Sequence, residues 1–316
     1  MKILIIGAGS LGSLFGAKLA LAGNEVFSFV SKRYLDYYIK GNPLFLENTE
    51  EKTKKINNFN VFSLKQKAKK FDFKIIIIAT KAYSLKEVCK QYKELIQNTP
   101  VFLLQNGIGN EETIKEMIPK NKILYRIITS NGAYMKKAGL VQHTGYGETN
   151  ICPMFKQKLK NSKIKMIEEK TIKTLKKAKL NPVLSDTPKK NVWEKALINI
   201  GINVFGALTH LKNGQLTEIK GISNVIGKTL QEAINIAKKK LNLEFERKNM
   251  LNRIYEILKA TSKNKNSMLQ DVMKQKRTEI SYLNGKIISY GEELGIKTPY
   301  NELLTVLIRG LEKSYN

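Results

Sequence analysis

Three groups of residues have types and spacings suited to chemistry. Lys195, Asn199 and Asn203 recur every fourth residue, so on a helix they share one face with about 40° of drift per step. An ammonium can protonate or stabilise a developing oxyanion, and two amides can hold the polar groups of a small substrate. Most other residues from Trp193 to Asn203 are apolar, so polar groups here need partners or a water-filled cleft. A solvent-facing stripe is the plainer alternative, but asparagine is a poor helix former and such a stripe more often carries Glu or Lys. The second group is Gly7-Ala8-Gly9-Ser10-Leu11-Gly12, a turn able to bring backbone N–H groups to a phosphate. The third is Ser267-Met268-Leu269-Gln270-Asp271 with Thr278-Glu279-Ile280. Glu279 is either a charge favoured at a helix N-terminus or a partner for Lys195, and spacing leaves both open.

The elements around the glycines narrow the second group. Ile3–Ile6 is a continuous apolar run, as in a strand buried on both faces of a parallel sheet. Leu14, Phe15, Ala17, Leu19 and Leu21 read as helix, Gly23-Asn24 stops it, and Val26–Val30 resumes as strand. In this βα turn Gly7 permits the tight bend, Gly9 lets backbone approach a pyrophosphate, and Gly12 lets helix and strand pack closely. The pattern points to a dinucleotide cofactor. Such folds that bind NAD carry an acidic residue roughly 20 residues after the glycines, for the ribose 2′-hydroxyl. Here Ser31-Lys32-Arg33 stand at the second strand's end, with no acid before Asp36. Donors and positive charge favour a 2′-phosphate, hence NADPH.

Further candidate strands are Val61–Leu64, Phe73–Ala79, Val101–Leu104 and Ile123–Thr129, with helical patterns at Ser84–Ile96 and Glu111–Met117. This alternation predicts an α/β doubly wound parallel sheet. Two strand ends carry chemistry: Lys81-Ala82-Tyr83 supplies a cation, and Gln105-Asn106-Gly107-Ile108-Gly109 an amide and glycines. Ligands bind outside the carboxyl ends of such strands; an ordinary lysine and an ordinary turn are the competing readings. Leu140–Ile151 reads as extended, a hairpin or an edge addition, followed by a helix at Lys163–Lys179 and a short strand at Pro182–Leu184. Thr187-Pro188 is a helix start, and helical periodicity continues to the end. The expected domains are therefore residues 1–187, binding NADP, and residues 188–316, an all-helical unit.

The 316 residues suffice for two domains. The net charge of +28 raises nucleic acid or acidic membranes as partners, but the charge is mostly lysine and dispersed. With no localised basic patch or nucleic-acid-binding motif, specific nucleic-acid binding is not expected. Cys89 and Cys152 are too few and too distant for a zinc site or disulfide framework, so no metal and a reduced cytoplasm are expected. No run approaches about 18 apolar residues, so no membrane span is expected.

The ordered set of motifs resembles the ketopantoate reductase (2-dehydropantoate 2-reductase) family over nearly the whole chain. The matching elements are Gly7–Gly12, Lys81-Ala82-Tyr83, Gln105-Asn106-Gly107, Gly139–Gly147, Trp193–Asn203, Asn213-Gly214-Gln215-Leu216, Ser267–Asp271, Thr278-Glu279-Ile280 and Asn284-Gly285. The resemblance implies a Rossmann domain followed by a helical domain similar to that of 6-phosphogluconate dehydrogenase. It implies NADPH-dependent reduction of 2-dehydropantoate to (R)-pantoate, in pantothenate and coenzyme A biosynthesis. Lys195 would be the general acid as hydride reaches C2, and Glu279 would position Lys195 or the substrate. Asn106 and Ser267 would hold the substrate carboxylate, Asn199 and Asn203 its terminal hydroxyl, with Asn213 also on the substrate side. Lys81 and Asn106 would lie near the nicotinamide and ribose, and a homodimer is one compatible assembly.

Two departures stand out: Ser31 replaces the usual arginine for the 2′-phosphate, and Ala138-Gly139 replaces Pro-Gly. The second is expected to be harmless. A reductase of another 2-oxo acid and a non-catalytic NADP-binding regulator are the alternatives. Histidine-based dehydrogenase chemistry has only His143 and His210 to draw on. Tyr255/Lys259 and Tyr282/Lys286 match Tyr-x-x-x-Lys, but with 13 tyrosines in a lysine-rich chain such pairs arise by chance.

Overall fold

The computed structural model describes residues 1–63, 68–121, 123–156 and 161–315. The chain divides into two compact units, Met1–Gln105 with Asn110–Asn191, and Asn106–Gly109 with Val192–Asn316.

The first unit is an α/β structure on an eight-stranded sheet. Strands β1 (Lys2–Ile6), β2 (Glu25–Phe29), β5 (Phe59–Val61), β6 (Ile75–Ile78), β7 (Val101–Leu103) and β8 (Ile123–Thr129) run parallel in the order β5-β2-β1-β6-β7-β8. β11 (Thr149–Lys156) pairs antiparallel with β8, and β12 (Pro182–Leu184) closes that edge beside β11. The parallel strands are apolar on both faces because each face carries its own core. Ile3 and Ile5 join Leu14, Phe15, Phe102 and Tyr125 on one side; Leu4 and Ile6 join Phe27, Ile76 and Ile78 on the other. Burying such side chains contributes roughly 2 kcal/mol each, so a one-residue slip of any central strand is unfavourable.

A second sheet was not anticipated. β3 (Leu44–Glu47), β4 (Thr53–Ile56), β9 (Gly132–Lys137) and β10 (Leu140–Gly145) form it in the order β4-β3-β10-β9. The extended segment from Leu140 to Ile151 is therefore shared: β10 makes a hairpin with β9, whereas β11 extends the main sheet. The small sheet packs on the helix Ser10–Leu21 through Leu44, Ile56, Met135 and Val141. Nearby, the Lys18 ammonium donates to the Lys179 carbonyl at 3.2 Å. Buried His143 hydrogen-bonds Asn131 Oδ1 at 3.0 Å and lies against the Tyr146 ring.

Other expectations shift in detail. The helix expected at Ser84–Ile96 is interrupted at Tyr92, giving Leu85–Gln91 and Lys93–Asn98 after a 3-10 turn at Ala82–Ser84. The strand expected at Val61–Leu64 is Phe59–Val61, and Leu64 lies outside the described residues.

The second unit is helical: Pro188–Thr209 begins in the first unit and continues into it, followed by Asn213–Leu216, Ile222–Leu241, Arg247–Ala260, Ser267–Val272, Asn284–Leu294 and Pro299–Lys313. The unit bounds depart twice from a single cut after residue 187. Pro188–Asn191 stay with the first unit, where Asn191 accepts a hydrogen bond from Ser185. Asn106–Gly109 group with the helices because Ile108 N–H donates to the Tyr282 carbonyl at 3.0 Å.

Candidate active site

In the first unit the glycine turn has the geometry of an anion cradle. Gly7 has φ +97°, and a Cβ there would lie 2.5 Å from Thr80 Cγ2, so no other residue fits this bend. At Gly9, by contrast, no atom of the described residues other than its chain neighbours lies within 4 Å of a Cβ position, leaving the backbone open to an approaching group. Gly9 caps the helix Ser10–Leu21, whose first turn holds no acidic residue. The first intrahelical hydrogen bond runs from Ser13 N–H to Gly9 O at 2.9 Å. The N–H groups of Ser10, Leu11 and Gly12 thus lack intrahelical acceptors and suit a phosphate, so the residues present fit a dinucleotide. The other N–H groups of the turn are engaged: Gly7 and Ala8 donate to Phe29 O, and Gly9 to Gly7 O. The Ser10 hydroxyl accepts from Met135 N–H.

Beside this turn, at the end of β2, Ser31 caps the helix Lys32–Ile39, and Ser31, Lys32 and Arg33 are all exposed. The Arg33 guanidinium lies 5.5 Å from the Tyr34 ring centre. Lys81, partly buried, follows β6, and its carbonyl accepts from Gln105 Nε2 at 3.2 Å.

In the second unit Lys195, Asn199 and Asn203 all lie on the helix Pro188–Thr209. Lys195 and Asn199 are partly buried, and Asn203 is buried. Burial, with the nearby Arg253 charge second, holds the Lys195 pKa below that of an ordinary lysine. Arg253 itself pairs with Glu194. Among the described residues no hydrogen bond or ion pair is found for the Lys195 ammonium. Glu279 is buried and precedes a 3-10 turn, Ile280–Tyr282, rather than starting the α-helix, which begins at Asn284.

Asn203 Nδ2 donates to Ser267 Oγ at 3.4 Å, joining two of the expected residues. Asn213 is held elsewhere in this unit: its amide donates to Thr261 Oγ1 at 2.8 Å, and no hydrogen bond links it to Lys195, Asn203 or Ser267. Asn106 belongs to a loop fitted tightly against the segment after Glu279. A Cβ at Gly107, φ +87°, would lie 2.5 Å from Tyr282 O, and one at Gly109 would lie 2.5 Å from Lys286 Cε. Tyr282 and Lys286, a pair that chance accounts for in the sequence, therefore support the loop carrying Asn106.

Asn266 is a residue that sequence reasoning missed. Its Oδ1 caps the helix Ser267–Val272 through Leu269 N–H at 2.9 Å, and its amide donates to Ile202 O at 3.4 Å. It thereby sets where Ser267 sits against the long helix. The sequence signal was present, because asparagine is a preferred N-cap. The clearance at Gly206 was not legible: a Cβ there would run into Asn266 Nδ2.

Comparison with known proteins gives concordant results. Residues 3–155 match the family model described as ketopantoate reductase PanE/ApbA, and residues 189–312 match its C-terminal counterpart. A 2-dehydropantoate 2-reductase from Pyrococcus abyssi is 33% identical over 318 residues, covering 99% of this chain and 98% of its own. Among solved structures, a ternary complex of D-mandelate dehydrogenase with NADH and anilino(oxo)acetate superposes with TM-score 0.88 at 26% identity, covering 100% of both chains. A PanE/ApbA family ketopantoate reductase from Ralstonia eutropha JMP134 has the same fold, with TM-score 0.86, 24% identity, and coverage of 100% of this chain and 99% of its own.

Proposed function

The chain belongs to the ketopantoate reductase family, and from that premise we propose that it reduces 2-dehydropantoate to (R)-pantoate with NADPH, within pantothenate and coenzyme A biosynthesis. The observation that carries this reading is the Lys195 ammonium, partly buried, depressed in pKa and, among the described residues, without an ion-pair partner, on a helix face shared with Asn199 and Asn203. A lysine so placed releases its proton more readily than a solvated one and stabilises charge on a nearby oxygen.

The Gly7–Gly12 turn would hold the pyrophosphate at the N–H groups of Ser10, Leu11 and Gly12. Ser31, Lys32 and Arg33 would receive the 2′-phosphate, and Lys81 would serve the ribose and nicotinamide end. When bound, NADPH supplies the hydride that reaches C2 of the substrate. Lys195 gives its proton to the carbonyl oxygen and stabilises the negative charge arising there. Asn106 and Ser267 bind the substrate carboxylate, and Asn199 and Asn203 its terminal hydroxyl. Glu279 orients the substrate, and Asn213 supports the substrate side. The residues 1–187 then act as the cofactor domain and 188–316 as the substrate domain, with a homodimer as the proposed assembly.

The test is NADPH oxidation by the purified protein with ketopantoate, oxaloacetate and pyruvate in parallel. The highest kcat/KM with ketopantoate supports the assignment. A second reading, reduction of another 2-oxo acid with NADH, is favoured by Ser31 standing where the family usually has arginine and by the likeness to the NADH-bound D-mandelate dehydrogenase. A higher kcat/KM for another acid, or equal affinity for NADH and NADPH, would select it.

A further inference from the structure

The carboxyl ends of three neighbouring strands, β1, β6 and β7, are linked in series to a buried cation on β8. Strand register aligns Ile6 with Ile78, Ile78 with Leu103, and Leu103 with Arg126. Arg126, on β8, is only 1% exposed, an unusual place for an arginine in a sheet otherwise filled with Ile, Leu and Phe. Its Nη1 donates to Glu111 Oε2 at 2.8 Å and its Nη2 to the Gln105 carbonyl at 2.8 Å, at the end of β7. Gln105, itself 4% exposed, then reaches the end of β6: its Nε2 donates to Thr80 Oγ1 at 3.1 Å and to Lys81 O at 3.2 Å. Thr80 in turn abuts Gly7 at the end of β1, its Cγ2 filling the space a Cβ would need. The contacts run β8 to β7 to β6 to β1 without interruption.

Packing alone does not require this arrangement. A leucine at position 126 would extend the core that Leu124 joins on the same face, without burying a charge that needs Glu111 and a carbonyl to satisfy it. What the guanidinium adds is direction. Its planar fork fixes one carboxylate and one carbonyl together, and the fixed carbonyl belongs to the residue whose side chain locates Thr80 and Lys81. The hydrogen bonds donated by Nε2 also define the Gln105 amide orientation, because Lys81 O accepts only from the nitrogen side.

We propose that Arg126 and Gln105 are positioning residues for the dinucleotide, holding the Thr80–Lys81 turn against the glycine turn so that the cofactor meets a preformed surface. This inference rests on the cofactor reading above. Neither residue touches the reacting atoms; they act through Thr80, Lys81 and Gly7.

The experiment is a fluorescence titration of NADPH with the full-length protein, alongside steady-state kinetics and thermal melts, for Gln105→Met, Arg126→Lys, their double variant and Thr80→Val. Gln105→Met leaves the Arg126–Glu111 pair intact and Thr80→Val removes one hydroxyl, so both test the chain of contacts even where Arg126→Lys folds poorly. We expect Gln105→Met to raise the NADPH Kd and KM about tenfold with kcat at saturating NADPH changed less than about twofold, and the double variant to exceed the worse single variant only slightly. Thr80→Val gives a smaller rise in the same direction. A role in stability alone would lower Tm and leave Kd unchanged; folded Gln105→Met and Thr80→Val proteins with unaltered NADPH Kd overturn the proposal while the cofactor reading stands. An unmodified protein that binds neither NADPH nor NADH overturns both.

Discussion

Asn203 on the long helix and Ser267 at the start of a later helix meet at 3.4 Å although 64 residues separate them. Asn203 is buried, whereas Ser267 is exposed, so the pair links the interior of the helical unit to its surface. A hydroxyl that accepts one hydrogen bond from the protein can still donate its own proton to an anionic substrate.

Substituting either partner should therefore weaken substrate binding more than chemistry. Ser267→Ala and Asn203→Ala are each expected to raise the 2-oxo acid KM by about tenfold, the order of one hydrogen bond to a charged group. NADPH Kd should stay near the unmodified value. The double variant should show less than the sum of the two effects, since one loss already frees the other partner. Initial-rate kinetics over both substrates check this, and additive losses would mean the residues act separately.

For the cofactor, NADPH is expected to bind more tightly than NADH, because Lys32 and Arg33 are exposed cations at the end of β2, beside the glycine turn. Exposed charges are screened, so the preference should shrink between low salt and about 0.5 M salt. Replacing both with alanine should narrow the gap further. Isothermal titration at two ionic strengths provides the measurement, and a salt-independent preference would point away from these side chains.

The pH dependence of stability should report His143. Burial, with the Lys18 charge second, depresses its pKa from 6.5 to about 4. The unfolded chain binds a proton at higher pH than the folded one, so stability is full above about 6.5 and falls as pH drops toward 4. The loss attributable to this group is on the order of 3 kcal/mol. His143→Gln, which can still hydrogen-bond Asn131, should flatten the Tm profile across this window. An unchanged slope would assign the acid sensitivity to other groups.

The glycine turn and the long helix were legible because few residues satisfy their geometry. Gly7 sits in a conformation that a side chain would block, and Thr187-Pro188 is a helix start whose mechanism is local. The small sheet was not legible. Thr53, Lys54 and Lys55 of β4 are exposed and resemble any polar loop, while Leu44 and Ile56 alone carry the inward pattern. Arg126 and Lys18 were equally hidden: in a chain with 55 Lys and Arg residues, sequence does not distinguish a buried cation from its many solvated counterparts. The Asn106 loop shows the same limit, since its glycines answer to Tyr282 and Lys286, far along the chain.

Lys195 offers the sharpest test because catalysis and stability should move in opposite directions. If it protonates the carbonyl oxygen and stabilises the charge there, Lys195→Met should lower kcat by about 10²-fold or more. NADPH Kd should change little. Its pKa is depressed by burial first and by Arg253 second, so in the window between the folded and unfolded values the unfolded chain binds more protons. Stability of the unmodified protein therefore rises with pH through that window, and at neutral pH the buried ammonium is a net cost. Removing the charge while keeping a long apolar stem should relieve that cost, raising Tm at pH 7 while turnover falls. The same depressed pKa predicts an alkaline limb in kcat below the ordinary lysine range, where the acid form is lost. Kinetics across pH and thermal melts of Lys195→Met decide the matter together: near-normal kcat in a folded variant would remove Lys195 from the chemistry, whatever happens to Tm.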